Sequence, residues 1–222
     1  MAAAELTLWD DPDFQRTTFV VIDFEGTTPK GHRPEPIEVA ALALKVGDRR
    51  LTETARFEAL IQPPAHAPIT PFDSGQTGIT PALVAGQPPA ADALARLDAR
   101  MAEPPYLLVA HHAATEAGFL FDYRKDCPVL AGTDLLDTIE LAKAAHPGLP
   151  SYSLDPLLAH LQIPTRPGRH RAMPDVELTA ALFTRLIDQG PASGNWSRIS
   201  QLRACALRHA KANQPAQDSL FS

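Results

Sequence analysis

The sequence predicts an α/β fold, a five-stranded mixed sheet flanked by helices. Two observations predict it. Three β-rich runs follow one another, with only a tight turn between the second and third, as in an antiparallel meander. Beyond residue 90, short apolar runs alternate with helical stretches, as when strands return in parallel through crossovers. At 45% hydrophobic, the 222 residues can fill the core of one sizeable domain.

The first strand runs from Thr18 to Phe24 around Phe19-Val20-Val21-Ile22, a run apolar enough for the centre of a sheet. Ile37 to Val46 and Leu51 to Ile61 flank Gly47-Asp48, a hairpin signal. A proline-punctuated loop from Pro63 to Pro81 contains Thr77-Gly78-Ile79-Thr80. Ala90 to Ala102 is helical, with Leu94 and Leu97 on one side. Tyr106 to Ala110 is a short buried strand feeding a helix near 113–124, and Thr133 to Leu136 is a fifth strand. Helices follow at about 137–145, 153–161 and 174–188. Prolines number 22 and stiffen the connections. The chain therefore divides into an N-terminal extension (1–17), a main domain (18–189), a C-terminal helix (190–212) and a loose polar tail (213–222).

Charge and cysteine content narrow the function classes. No apolar stretch approaches the roughly 20 residues that span a bilayer, so no membrane association is expected. Met1-Ala2-Ala3-Ala4-Glu5-Leu6 lacks the basic and apolar regions of a signal peptide. Cys127 and Cys205 are the two cysteines, which supports neither a disulfide framework nor a cysteine-ligated metal. A cytoplasmic location is the expectation. The net charge of −6 argues against broad gripping of duplex DNA but leaves room for contact with a strand end. Residues 190–222 carry a local +3, leaving −9 on the rest. Arg198, Arg203, Arg208 and Lys211, with Ile199, Leu202, Ala206 and Leu207 at helical spacing, read as a basic amphipathic helix. It either packs on the domain or touches nucleic acid.

The first strand ends in Asp23-Phe24-Glu25. Alternation puts Phe19, Val21, Asp23 and Glu25 on one face. Two like charges at the end of a buried strand repel strongly unless a cation compensates, and a divalent metal is the usual solution. Glu116 begins the helix after the fourth strand, and Asp175 lies in the first turn of a later helix beside Pro174. Carboxylates at helix N-termini are stabilised as anions, the form a metal needs. Four such carboxylates suit two Mg²⁺ (or Mn²⁺) ions, an arrangement that serves phosphoryl displacement. His170, on the loop before Asp175, is placed to deprotonate an attacking water. His32, His66, His146, His160 and His209 read as structural.

These motifs resemble the DEDD superfamily of 3′→5′ exonucleases, in the histidine subclass that includes the proofreading epsilon subunits of bacterial DNA polymerase III. The resemblance rests on Asp23 with Phe24 to Thr28, on Val109 to Leu120, and on His170 to Asp175. Ile37-Glu38-Val39, Thr77-Gly78-Ile79-Thr80, Asp137-Thr138 and Tyr152-Ser153-Leu154 match secondary markers, and coverage runs from about Thr18 to Ile187. It implies an RNase H-like fold, an exonuclease domain over 18–189, two metals, and release of nucleoside 5′-monophosphates. Asp23, Glu25, Glu116, Asp175 and His170 would be catalytic, the four acids as metal ligands. Gly26, Thr27, Thr28, Thr77 and His112 would bind substrate. Three departures stand out. The usual Glu-Thr-Thr-Gly order is Glu25-Gly26-Thr27-Thr28, the usual His-Asn pair is His111-His112, and Glu116 replaces the usual aspartate, adding about 1.5 Å of reach.

In the tail, Gln217-Asp218-Ser219-Leu220-Phe221 resembles the peptide by which bacterial replication and repair proteins bind the sliding clamp. Gln217 would anchor, and Leu220 and Phe221 would fill an apolar pocket. The expectation is a metal-dependent 3′→5′ exonuclease acting mainly on single-stranded DNA ends and recruited to a clamp. The alternatives are a 3′→5′ exoribonuclease and, through Glu116, a catalytically weak binder of nucleic-acid ends or clamp adaptor.

Overall fold

The computed structural model describes residues 6–165, 171–194 and 196–208. Six strands form one sheet: β1 (Thr18–Gly26), β2 (Pro36–Gly47), β3 (Arg50–Leu60), β4 (Tyr106–Ala110), β5 (Leu135–Asp137) and β6 (Leu207–Arg208). Their spatial order is β3-β2-β1-β4-β5-β6. β2 is antiparallel to both neighbours, β4 runs parallel to β1 and β5, and β6 returns antiparallel to β5. The five-strand mixed sheet read from the sequence is present, and the two-residue β6 extends its edge.

The helices are α1 (Pro12–Arg16), α2 (Pro71–Thr77), α3 (Pro81–Val84), α4 (Ala90–Asp98), α5 (Ala114–Asp122), α6 (Pro128–Gly132), α7 (Thr138–Ala145), α8 (Leu154–His160), α9 (Ala172–Gln189) and α10 (Ile199–Ala206). Alternation along β1 divides the core. Phe19 and Val21 join Leu42, Leu107 and Val109 beneath Val176 and Phe183 of α9. Val20, Ile22 and Phe24 face Leu94 and Leu97 of α4 and Leu120 of α5. Among the described residues, no helix is long and apolar enough to cross a membrane.

Three parts differ from the sequence reading. The loop over 63–81 contains α2, and α3 opens at its last residue. Pro71 and Pro81 occupy the first helical turn, where a missing N–H costs nothing, and Thr70 and Thr80 cap them. Residues 6–17 of the N-terminal extension pack on the domain: Leu8 and Phe14 are buried, and the Phe14 ring lies 5.0 Å from that of Phe19. Asp11 caps α1, and its other carboxylate oxygen accepts the Ile199 amide at 2.7 Å. The C-terminal helix is shorter than its pattern. It ends at Ala206 because Leu207 leaves to pair with Leu136. Ile199, Leu202 and Ala206 are buried, and Arg203 is ion-paired with Asp134, so this helix packs on the domain.

Candidate active site

β1 delivers Asp23 and Glu25 to the face covered by α9, and the first turn of α9 delivers Asp175. One carboxylate oxygen from each of the three can be chosen so that all lie within 4.8 Å of one another. α9 starts at Ala172, two residues earlier than its proline suggests, so Pro174 falls inside the first turn, where the N–H is unused. Glu116 is the third residue of α5 and is buried; its Oε2 has no hydrogen-bond partner among the described residues.

These acids disturb one another. Burial raises Asp23 well above the ordinary carboxylate range, and the charges of Glu116, Glu25, Asp175 and Glu38 raise it further. Burial, then Asp175 and Glu38, push Glu25 up to about 7, with Arg171 opposing. Glu116 is pushed up to about 8, chiefly by burial, against its own backbone N–H, with a further push from Asp137. Such a site is uncomfortable without a cation. A purely oxygen, strongly acidic donor set with an orphaned buried oxygen fits a hard divalent ion.

The residues around the acids are fixed by local bonds. Thr28 donates its amide and hydroxyl to Asp73 Oδ1, at 3.1 and 2.5 Å. The other oxygen of Asp73 accepts the Thr70 amide and hydroxyl, so one carboxylate ties α2 to the end of β1. Thr27 is buried, with its hydroxyl accepting from the Glu35 amide. Thr77 is also buried, donating to the Asp73 carbonyl and accepting from Ile79. Both threonines therefore engage their hydroxyls inside the protein. A Cβ on Gly26 would meet the Phe119 ring at 2.9 Å, which accounts for glycine directly after Glu25. His112 is exposed and left-handed, φ 64°, a conformation that asparagine and histidine both tolerate. His111 Nδ1 lies 2.8 Å from the Thr138 hydroxyl, and burial lowers its pKa to about 4.

His170, Gln217, Leu220 and Phe221 lie outside the described residues. Three contributors were not singled out as site residues in the sequence: Asp73, Asp137 and the Glu38–Arg171 pair. Asp73 was readable, since Thr70-Pro71-Phe72-Asp73 is a capping-box pattern. Arg171 meets Glu38 across 133 residues, and no local signal marks that pairing.

An exonuclease family model, of the RNase T type, matches residues 20–183. The DNA polymerase III PolC-type protein of Oceanobacillus iheyensis is 33% identical over 185 residues, 81% of this chain and 12% of that protein. The chain thus spans about an eighth of the length of the PolC-type relatives it matches first. The DNA polymerase III subunit epsilon of Aquifex aeolicus is 30% identical over 176 residues, 78% of this chain and 81% of the relative. Among solved structures, the nuclease domain of 3′hExo, a DEDDh family member bound to rAMP, superposes with a TM-score of 0.68 at 19% identity, covering 82% of this chain and 96% of that one. That likeness is one of fold.

Proposed function

The chain belongs to the RNase T-type exonuclease family, and from that premise we propose that it hydrolyses DNA from the 3′ end to nucleoside 5′-monophosphates. The observation that carries this reading is the convergence of Asp23, Glu25 and Asp175; Glu116 is not within the 4.8 Å cluster, but its charge acts on Asp23 and its Oε2 is buried without a hydrogen bond among the described residues.

Asp23, Glu25, Asp175 and Glu116 would hold two Mg²⁺ (or Mn²⁺) ions. Bound there, the ions supply charge stabilisation to the attacking and leaving oxygens of the phosphodiester. The chain's own groups do the rest. His170, one residue before Arg171, accepts the proton of the attacking water at its imidazole. Thr28 and His112, at the exposed rim, meet the terminal nucleotide, while Gly26, Thr27 and Thr77 shape the loops that frame it. Glu116 would reach toward a cation with one more methylene than aspartate.

DNA is favoured over RNA because the two polymerase III relatives named above share 33% and 30% identity with this chain. The exoribonuclease reading draws on the rAMP-bound neighbour, whose likeness is structural alone. Gln217, Leu220 and Phe221 are proposed to recruit the enzyme to a bacterial sliding clamp, and the setting is cytoplasmic. The test is digestion of 5′-labelled single-stranded DNA, duplex DNA and RNA with Mg²⁺, Mn²⁺ or EDTA, with and without clamp. A ladder shortening from the 3′ end of single-stranded DNA, abolished by EDTA, is expected. Preference for RNA would overturn the substrate assignment, and no digestion of any strand would favour the end-binder. Stimulation by the clamp that vanishes in Leu220→Ala/Phe221→Ala is expected; no stimulation would remove the clamp role.

A further inference from the structure

Glu38 is fully buried in β2, opposite Glu25 in the register with β1. A lone carboxylate so placed would be costly, and it is gripped from α9. Arg171 Nε lies 3.0 and 2.9 Å from the two carboxylate oxygens, and Nη2 also donates to Oε1. The amide of Ala172 donates to Oε2 at 2.9 Å. Arg171 is the N-cap residue of α9 and Ala172 its first residue, so one carboxylate holds both the cap side chain and the first amide of the helix that carries Asp175. The Asp175 amide bonds back to the Arg171 carbonyl at 3.3 Å, which closes that first turn.

We infer that Glu38 and Arg171 form a positioning pair that sets Asp175 against Asp23 and Glu25 and thereby sets the affinity of the site for divalent metal. This rests on the reading of those three acids as metal-holding. Along its length α9 is docked by apolar contacts, among them Val176 and Phe183. Such contacts are non-directional and leave a helix free to slide or turn by fractions of an ångström. Three N–H donors bonded to one carboxylate at its N-terminus remove that freedom where a ligand geometry depends on it. Buried ion pairs add little net stability compared with apolar packing, so conformational definition is the better account of this one. The guanidinium also faces Glu25 and opposes the repulsion that Asp175 and Glu38 exert there. A lysine would keep the charge but not the two-pronged grip.

The test is Mn²⁺ titration of the full chain without substrate, following free Mn²⁺ by its paramagnetic resonance signal, for wild type, Arg171→Lys and Glu38→Gln. Melting in EDTA and kcat and KM on a short oligonucleotide accompany it. Both variants should bind Mn²⁺ about tenfold or more weakly, as partners behind metal ligands do. At saturating Mn²⁺ kcat should fall while KM stays put. Wild-type Mn²⁺ affinity in both variants, with only a lower melting temperature, would overturn the inference and leave a pair that serves docking alone. Loss of the folded state in both would overturn it in the same way. If Glu38→Gln alone unfolds, Arg171→Lys decides, because it leaves Glu38 a charged partner. A wild-type chain that binds no Mn²⁺ would instead remove the metal-holding reading beneath it.

Discussion

Asp137 Oδ1 accepts the backbone amide of His112 at 3.3 Å and the amide of Ile139 at 3.0 Å. The end of β5 thereby holds the left-handed residue that precedes α5, and so the approach of Glu116 to the other acids. At φ 64° this histidine occupies a conformation that asparagine also tolerates. His112→Asn should leave the melting temperature unchanged. His112→Val places a β-branched residue at φ 64° and should cost about 1–3 kcal/mol, read by urea denaturation.

Glu116 is the second test. Glu116→Gln should nearly abolish turnover, whereas Glu116→Asp should retain or raise it; full activity in Glu116→Gln would exclude it as a ligand. The same residue sets a pH dependence in EDTA. Its folded pKa is about 8 against an ordinary 4.5, so the folded state binds more protons across that interval and stability falls as pH rises. Asp23 and Glu25 are shifted in the same direction. His111, lowered to about 4 from 6.5, slopes the other way, but only below pH 6.5. Melting temperature in EDTA should therefore drop between about pH 6.5 and 8. Glu116→Gln should lessen the drop, and Mg²⁺ should stabilise more at the higher pH.

Gly26 offers a packing test. Gly26→Ala drives a methyl into Phe119 and should destabilise by about 1–3 kcal/mol. Phe119→Leu in the same chain removes the ring that causes the clash, so the double variant should be more stable than the two single losses added together. Strict additivity in denaturant melts would show that the contact is not the reason for the glycine.

His170→Ala should lower kcat by orders of magnitude while leaving Mn²⁺ binding intact. Wild-type turnover should fall on acidification through the histidine range, because protonated imidazole cannot accept a proton. A profile flat from about pH 5 to 8 and unaltered by the substitution would remove the histidine from this role.

The central strands were legible because hydrophobic runs such as Phe19 to Ile22 and the Gly47-Asp48 turn are local signals. The acids were legible because Asp23 and Glu25 contradict the burial of their own strand. Less accessible was structure decided by distant partners. Leu207 continues a helical pattern in sequence, yet the free edge of β5 claims it as a strand. Pro71 and Pro81 read as punctuation of a loop, although each opens a helix behind a capping threonine. Glu38 and Arg171 carry no mark of their meeting until the sheet and α9 bring them together.

The bond from Asp11 to Ile199 joins residues 188 apart in sequence, which bears on how the protein is made. A chain emerging from the ribosome exposes Asp23 and Glu25 well before Asp175 and Ile199, the partner of Asp11, have been made. Until then the first strand presents its acids with no helix above them and no anchor for the N-terminal turn. A chain released before residue 175 would therefore lack one of the three clustered acids, and one released before residue 199 would lack the anchor as well.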